Sequence, residues 1–232
     1  RNVFNYVDDF CEGFAVVGLN GKYNFINQEG RLLSDKWFNS VYNFREGFAR
    51  VELNGKWNYI DQEGSFLSGQ WFDYVDDFSE GFARVELNDK QNCINQEGRL
   101  LSDQWFDYVY SFRESFARVN LNGKWNFINQ EGRFLSDQWF DYVGSFSKGF
   151  AVVELNGKNN FINQEGSFLS SQWFDYVGSF SEGFSRVNLI GKWNFINQEG
   201  SFLSGQWFDY VDDFSHGFAE VELNGKTYKL DT

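Results

Sequence analysis

Tryptophan recurs along this chain at a fixed spacing of 34 residues. The positions are Trp37, Trp71, Trp105, Trp139, Trp173 and Trp207. A fixed period of this length indicates a tandem repeat, in which every copy adopts the same local structure. We therefore expect one repeat array over residues 1–232. Its units are 3–36, 37–70, 71–104, 105–138, 139–172, 173–206 and the incomplete 207–232, called repeats 1 to 7 below.

Each copy contains a segment in which apolar and polar residues alternate, as they do along a half-buried strand. In repeat 2 this segment is Phe48–Leu53, and it is followed by Asn54-Gly55 and a second alternating segment. An Asn-Gly pair between two such segments predicts a type I′ hairpin, because both turn residues must take a positive φ. A two-residue loop then pairs Leu53 with Lys56, Glu52 with Trp57, and Arg50 with Tyr59.

This register divides the side chains of the hairpin between two faces. The more apolar face, which we predict to form the core, carries Ala49, Val51, Leu53 and Ile60. The opposite face carries Phe48, Arg50, Glu52, Trp57 and Tyr59. Val and Leu keep their places on the first face in all seven copies, which supports its assignment to the core.

Further turns complete the unit. Gln62-Glu63-Gly64 predicts a second tight turn with glycine in the left-handed conformation. Residues 65–68 and 71–75 are expected to form short strands, and residues 76–81 a longer polar loop. The unit is thus a β-meander of three or four strands. The helical tetratricopeptide repeat has the same period, but the apolar spacing of two residues excludes it.

A single meander of this size is marginally stable, so the copies must stack on one another. The predicted fold class is all-β, with tandem 34-residue β-meander repeats forming an open solenoid or superhelix. A closed seven-bladed, propeller-like ring is the alternative. The hairpin tryptophans Trp57, Trp125 and Trp193 fall in repeats 2, 4 and 6. This alternation favours the open array, because a ring of seven copies cannot alternate perfectly.

Composition excludes several classes of function. The net charge of −13 disfavours nucleic acid as a partner. The sequence has no apolar segment long enough to predict a transmembrane span. The acidic residues recur at equivalent positions, which indicates turn chemistry rather than one catalytic pocket. His216 is predicted to be an exposed loop residue, and Cys11 and Cys93 lack metal-type spacing. We expect no catalytic residue, metal or cofactor; the loop acids Asp76-Asp77 are interpreted as solvated rather than as calcium ligands.

The hairpin aromatic position is the best candidate for ligand binding. It varies from copy to copy, unlike the core positions, which indicates partial exposure. An arginine lies on the same face one strand away, and cation–π contacts with the rings are expected there. The candidate ligand-binding residues are Trp57, Trp125, Trp193, Tyr23, Arg50, Arg84, Arg118 and Arg186.

The pattern Phe78-Ser-Glu-Gly-Phe-Ala-Arg-Val85, followed by Asn-Gly-Lys-Trp as in residues 122–125, resembles the bacterial WG (KWG) repeats. That resemblance implies a β-rich repeat array and no established activity. One departure is that the Trp-Gly pair of the family is Trp-Asn here, as in Trp57-Asn58. The pattern is similar, more loosely, to choline- and glucan-binding cell-wall repeats, whose units are shorter.

Two functions fit these features. One is a non-enzymatic scaffold that binds a glycan or protein partner through repeated aromatic and arginine surfaces, where several weak sites raise avidity. The other is a structural protein that self-assembles end to end into fibres, since an open array presents similar faces at its two ends.

Overall fold

A computed structural model of the chain describes residues 4–231 and consists of strands joined by turns. Each repeat forms one three-stranded antiparallel sheet, with a two-residue first strand and two strands of six residues. No helix occurs within residues 4–231, so this part of the chain has none that could cross a membrane. The predicted all-β class and tandem repeats are confirmed.

The strands in chain order are β1 (Tyr6–Val7), β2 (Phe14–Leu19), β3 (Lys22–Asn27), β4 (Ser40–Val41), β5 (Phe48–Leu53), β6 (Lys56–Asp61), β7 (Tyr74–Val75), β8 (Phe82–Leu87), β9 (Lys90–Asn95), β10 (Tyr108–Val109), β11 (Phe116–Leu121), β12 (Lys124–Asn129), β13 (Tyr142–Val143), β14 (Phe150–Leu155), β15 (Lys158–Asn163), β16 (Tyr176–Val177), β17 (Phe184–Leu189), β18 (Lys192–Asn197), β19 (Tyr210–Val211), β20 (Phe218–Leu223) and β21 (Lys226–Asp231).

The chain divides into two compact units. Unit 1 comprises Arg1–Asn122 with Ile128–Arg133, and unit 2 comprises Gly123–Phe127 with Phe134–Thr232. Unit 1 contains the sheets of repeats 1 to 3, and unit 2 contains those of repeats 5 to 7. The start of repeat 1 at Val3 lies outside the described residues.

The central hairpin has the predicted register. In repeat 2, Leu53 pairs with Lys56, Glu52 with Trp57, and Arg50 with Tyr59. Asn54 and Gly55 have φ values of 54° and 79°, as a type I′ turn requires.

The Gln-Glu-Gly turn is also present, and Gly64 has a φ of 85°. The Asp61 carboxylate accepts the backbone N–H groups of Glu63 and Ser65 at 3.0 and 2.7 Å. A Cβ atom on Gly64 would lie 2.4 Å from the Leu33 carbonyl oxygen of the preceding repeat. Glycine is therefore required both by the conformation and by the close approach of two repeats.

Three local predictions need correction. The segment 65–68 makes a single bridge, between Ile60 and Phe66, and is not a strand. Within 71–75, only Tyr74–Val75 forms a strand, while Phe72 makes a separate bridge to Trp57. The predicted polar loop 76–81 ends in a second tight hairpin turn, because Ser79 and Phe82 exchange backbone hydrogen bonds around Glu80-Gly81.

Within each unit, consecutive repeats share a hydrophobic core. One cluster joins Tyr59 of repeat 2 to Val75, Val85 and Ile94 of repeat 3. The cluster between repeats 6 and 7 joins Phe195 to Val211 and Val221 in the same way. The face predicted to be core is largely buried, but part of the opposite face is buried too: Tyr59 on that face is only 1% exposed. The prediction treated one hairpin in isolation, whereas the next repeat covers its second face.

In repeats 2, 3, 6 and 7, a phenylalanine fills the space between two rings of the preceding repeat. In unit 1, Phe78 lies 5.0 Å from Phe48 and 4.9 Å from Tyr59, measured between ring centroids. In unit 2, Phe214 contacts Phe184 and Phe195 at 4.9 and 4.8 Å. Such ring contacts add to the free energy of apolar burial, so they hold neighbouring repeats in one fixed register.

Acidic side chains link the repeats at their edges. The Asp73 carboxylate accepts a hydrogen bond from Lys56 of repeat 2 and one from the Asn88 backbone N–H of its own Asn-Asp turn. Its equivalents Asp107, Asp141, Asp175 and Asp209 make the same pair of contacts. These contacts lower the pKa of each aspartate, first through the lysine and then through the backbone donor.

A glutamate side chain also links a turn of one repeat to the equivalent turn of the next repeat. The Glu46 carboxylate accepts the backbone N–H groups of Glu80 and Gly81, the equivalent turn of the next repeat, both at 3.1 Å. Glu182 contacts the N–H groups of His216 and Gly217 in the same manner at 3.0 and 2.9 Å. The acidic residues at these recurring positions thus satisfy backbone donors of an adjacent repeat.

Candidate functional site

The hairpin aromatic residues have a fixed backbone and a partly exposed side chain. Trp57 exchanges two backbone hydrogen bonds with Phe72 of the next repeat, at 2.8 and 2.9 Å. Trp125 and Trp193 are held in the same way by Phe140 and Phe208. The side chains of all three tryptophans and of Tyr23 are half-buried. Each ring therefore keeps a solvent-facing part on a rigid support.

A tyrosine lies beside several of these rings and enlarges the aromatic surface. Tyr42 is 5.8 Å from Trp57 between ring centroids, Tyr176 is 5.6 Å from Trp193, and Tyr6 is 6.3 Å from Tyr23. Tyr6 and Tyr42 are each 47% exposed. We call each such pair of rings an aromatic platform.

Sequence reasoning missed these tyrosines. Tyr6 and Tyr176 occupy one repeated position, the fourth residue of the Trp-Phe-Asp-Tyr-Val segment. The other tyrosines at this position are also exposed: Tyr74, Tyr108, Tyr142 and Tyr210. The signal was available in their recurrence, but the segment was interpreted as a continuous strand. In the structure a bend at Asp73 lies between the buried Phe72 and the exposed Tyr74. The alternation of side chains along a strand therefore does not predict on which face this tyrosine lies.

Other residues at the hairpin position differ in exposure. Gln91 is buried, where it donates to Glu86 and accepts the Val109 backbone N–H at 2.9 Å. Asn159 is half-buried and Thr227 is exposed. The position is therefore compatible with polar side chains wherever they find hydrogen-bond partners or water.

Two of the candidate arginines are occupied within the chain. The guanidinium of Arg50 lies 3.9 Å from the Tyr42 ring centroid, and its Nη1 donates to the Val75 carbonyl at 3.3 Å. Its Nε is 2.6 Å from Asp77 of repeat 3, but the N–H is not directed at an acceptor, so this contact is an ion pair. With a side chain only 13% exposed, Arg50 links two repeats. Arg186 makes equivalent contacts with Val211 and Asp213.

The other two arginines use partners of their own repeat. Arg84 donates to the Asp76 carboxylate at 2.7 Å and to Gln91 at 3.4 Å. The guanidinium of Arg118 lies 4.3 Å from the ring centroid of Tyr110. The predicted cation–π contacts are thus mainly with the tyrosines, and Arg186 lies 6.0 Å from the ring centroid of Trp193.

The loop acids and the lone histidine have structural surroundings. Asp76 and Asp77 serve as partners of Arg84 and Arg50, so they are not free carboxylates in a solvated loop as the sequence suggested. His216 is exposed, with Nδ1 2.8 Å from the Ser215 hydroxyl. No group of three His, Cys, Asp or Glu side chains suited to a metal ion occurs among the described residues.

Comparison with known families gives a match along nearly the whole chain. The WG containing repeat matches seven consecutive segments, residues 3–23, 25–57, 59–90, 93–125, 127–158, 161–193 and 195–226. The chain belongs to the WG-repeat family. The family predicted from the Phe-x-Glu-Gly-Phe and Asn-Gly-Lys-Trp patterns is therefore confirmed.

The Trp-Asn pair, which departs from the family name, has a structural role in these WG repeats. Asn58 is fully buried, and its Nδ2 donates to the Ser68 and Gln70 carbonyls at 2.7 and 3.3 Å. Its Oδ1 accepts the Tyr59 backbone N–H at 2.8 Å. Buried asparagines at the equivalent position make the first and last of these contacts in repeats 1 to 6: Asn24, Asn58, Asn92, Asn126, Asn160 and Asn194.

Solved structures offer only distant likenesses to the WG-repeat chain, and no curated protein sequence matches it. Hsv2p of Kluyveromyces lactis is 10% identical, with a TM-score of 0.36 over 84% of this chain and 75% of that one. The Pan2 WD40 domain of Neurospora crassa is 10% identical, with a TM-score of 0.30 over 97% and 88%. Neither likeness is close enough to carry an argument about this chain.

Proposed function

We propose that this WG-repeat chain is a non-enzymatic scaffold that binds a glycan or protein partner on its aromatic platforms. The observation that carries the proposal is the combination of a backbone fixed by the next repeat with a ring half open to solvent. Exposed rings on a rigid support are suited to stacking against a sugar ring or an apolar side chain, because little conformational entropy is lost on binding.

The proposed contact residues are the hairpin aromatics Trp57, Trp125, Trp193 and Tyr23. The arginines Arg50, Arg84 and Arg118 lie against the rings of Tyr42, Tyr74 and Tyr110. Arg186 lies 6.0 Å from the ring centroid of Trp193 and pairs with Asp213. In this arrangement the arginines shape the platform and supply positive charge beside it. The tyrosine hydroxyls add hydrogen-bonding groups at the edge of the surface.

The use of the acidic side chains supports a binding role rather than catalysis. Asp73 and Glu46, with their equivalents, hold backbone donors or lysines of adjacent repeats. Catalytic carboxylates require a single pocket that separates their pKa values. Side chains that repeat the same structural contact from copy to copy do not supply one.

The proposal is tested by probing immobilised glycans and peptides with the purified chain and with a triple variant, Trp57→Ala, Trp125→Ala and Trp193→Ala. We expect the wild type to bind members of one ligand class and the triple variant to lose at least about tenfold in affinity, since each stacked ring contributes on the order of 1 kcal/mol. Tyr228→Ala is the matched control, because Tyr228 is an exposed ring of repeat 7 that is 49% exposed. Equal binding by the wild type and the triple variant would contradict the proposal.

End-to-end assembly into fibres is the less favoured alternative. The last described sheet carries Thr227, Tyr228 and Lys229 where repeat 6 has Trp193, Asn194 and Phe195. A second molecule that stacked on this sheet would contact Lys229, whereas Phe214 of repeat 7 contacts the ring of Phe195 at the equivalent position of repeat 6. We expect a single sedimenting species at all protein concentrations; filaments would instead support assembly.

A further inference from the structure

The residue at the Arg50 position is not the same in every repeat. Repeats 2, 3, 4 and 6 carry arginine there, namely Arg50, Arg84, Arg118 and Arg186. Val16 and Val152 take this place in repeats 1 and 5. The repeats with arginine show how this fold holds a guanidinium group, and those with valine show the same position without one.

The guanidinium site is built from groups of two consecutive repeats. For Arg50 these groups are the Tyr42 ring, the Val75 carbonyl and the Asp77 carboxylate. Arg84 uses a carboxylate of its own repeat, Asp76, at 2.7 Å. A ring and a carboxylate therefore recur at the sites of Arg50, Arg84 and Arg186, and the sites of Arg50 and Arg186 add a carbonyl.

Repeat 1 retains components of this site but has no arginine. Val16 lies in a groove of about 510 Å³ between repeats 1 and 2. The groove is lined by Asp8, at the repeat position of Asp76, and by Val41, at that of Val75. The rings of Tyr6, Tyr23 and Tyr42 also line it. Replacement of arginine by valine thus leaves an open groove with a carboxylate and aromatic rings.

Repeat 5 also has valine, but it has lost the acceptors together with the arginine. The cavity beside Val152 measures about 120 Å³. In repeat 5, Gly144 takes the position of Asp76, the partner of Arg84. In repeat 6, Ser179 takes the position of Asp77, the partner of Arg50 in its following repeat. Lys148 lines the same cavity and would repel a cation. Loss of the arginine therefore does not by itself leave a site suited to a guanidinium group. Repeat 1 differs from repeat 5 because it keeps a carboxylate, Asp8.

We propose that the groove between repeats 1 and 2 binds an arginine side chain of a basic partner polypeptide. The guanidinium would pair with the Asp8 carboxylate, as Arg84 does with Asp76, and lie against the rings of Tyr6 and Tyr23, as Arg50 lies against Tyr42. Val41 and Asn43 also line the groove, and Val75, the residue equivalent to Val41, accepts a hydrogen bond from Arg50 through its carbonyl.

The charges around the groove favour a cation. The Asp8 carboxylate accepts the Asp9 backbone N–H at 2.9 Å and a hydrogen bond from the Tyr6 hydroxyl, and its two oxygens have acceptor capacity beyond these two bonds. Arg50, the cation seated on the Tyr42 ring, is paired with Asp77. The net charge of −13 adds long-range attraction for a basic partner. This inference deepens the proposed function and rests on it, because Tyr6 and Tyr23 form both a platform and a wall of the groove.

The test uses short blocked peptides that contain arginine, lysine or citrulline at one position, titrated calorimetrically into the full chain. We expect the arginine peptide to bind more tightly than the other two. Val16→Arg would place the chain's own guanidinium in the groove, so it should abolish peptide binding and raise the melting temperature. Asp8→Asn keeps the groove open and should weaken binding roughly tenfold, by loss of a charge-assisted hydrogen bond.

Val152→Arg is the matched control, because its cavity lacks the carboxylate; it should leave peptide binding unchanged. Equal binding of the arginine and citrulline peptides, or undiminished binding by Val16→Arg and Asp8→Asn, would overturn the inference. Loss of partner binding in the triple tryptophan variant with retained arginine-peptide binding would support both proposals as separate contributions. If the arginine peptide does not bind but the partner still binds the aromatic platforms, the inference about the groove is wrong and the proposed function is unaffected.

Discussion

At the scale of single residues, the buried asparagine explains most about how a WG repeat is closed. One amide group of Asn58 serves two carbonyls and one backbone N–H, all from segments outside the sheet ladder or at its edge. A side chain of the same shape that carries an acceptor in place of the amide donor cannot replace this asparagine, because a buried polar group without a hydrogen-bond partner lowers the free energy of unfolding.

Asn58→Asp is therefore expected to destabilise the fold strongly. The new oxygen would face the carbonyls of Ser68 and Gln70, and the free energy of unfolding should fall by about 2–4 kcal/mol at neutral pH. Burial would raise the pKa of the new carboxyl, so the loss should be smaller in acid, where the folded state keeps the proton. Urea denaturation at two pH values measures this, with exposed Gln62→Glu as the control. A stable variant would mean that the amide contacts contribute little.

Cys93 offers a second residue-scale test. It replaces the buried ring of Tyr59 or Phe127, and burial raises the pKa of its thiol to about 12. Because the thiolate is the reactive form, Cys93 should not react with a thiol reagent near neutral pH until the protein unfolds. In the folded protein, only the half-exposed Cys11 should react. Cys11→Ser should thus remove the reaction of the folded state, and fast labelling of that variant would contradict the assigned burial.

The sequence predicted some residues of the site and missed others for physical reasons. Trp57 could be recognised as partly exposed because its position tolerates polar residues in other repeats. The aspartate partners of Arg50 and Arg186 could not be found, because those contacts join residues of different repeats. Likewise, nothing in the sequence pattern distinguishes the buried Asn58 from the surface asparagines of the turns.

At the scale of elements, tight turns and their links decide the path of the chain. The Asn-Gly hairpin and its register were predictable because few residue pairs adopt a positive φ at both positions. The Glu80-Gly81 turn was not, since glutamate rarely has a positive φ, and here it takes a value of 55°. The carboxylate of Glu46, which accepts the Glu80 N–H, stabilises this turn from the preceding repeat.

The aspartate links make stability dependent on pH in a defined direction. The pKa of Asp73 and of its four equivalents is lowered in the folded state. Their contribution is complete above the unfolded pKa and is lost as the pH falls through the lower folded pKa. The five links act in the same direction, so the free energy of unfolding should decrease steeply in acid.

Asp73→Asn removes one of these contributions and should make the free energy of unfolding less dependent on pH between about 5 and 2. Repeat 2 has this substitution naturally, since Asn39 accepts the Asn54 backbone N–H at 3.2 Å. The exposed Asp103→Asn serves as a control. Denaturation curves across this pH range provide the measurement, and equal slopes for wild type and Asp73→Asn would show that the link is not energetically significant.

At the scale of the whole molecule, the period of the tryptophans correctly gave the number of sheets, because each copy is one folding element whose faces are covered by neighbours. The same logic explains why the aromatic face could not be assigned from one hairpin. Of the three rings on this face in repeat 2, Tyr59 becomes part of the core once the next repeat is in place, while Trp57 stays at the surface.

Repetition also makes a specific prediction about binding. If Trp57, Trp125 and Trp193 are equivalent contact residues, the partner gains avidity from several weak contacts rather than from one pocket. Each single alanine substitution should then weaken binding of a multivalent ligand by a similar moderate factor, and the effects should accumulate in the double and triple variants.

The most direct test of this account is to measure the affinity of the three single variants and the triple variant for one multivalent glycan or protein ligand identified on the arrays. Graded losses, with the largest in the triple variant, are the predicted result. Complete loss from one substitution, with no effect from the other two, would contradict a repeat scaffold and point to a single binding site.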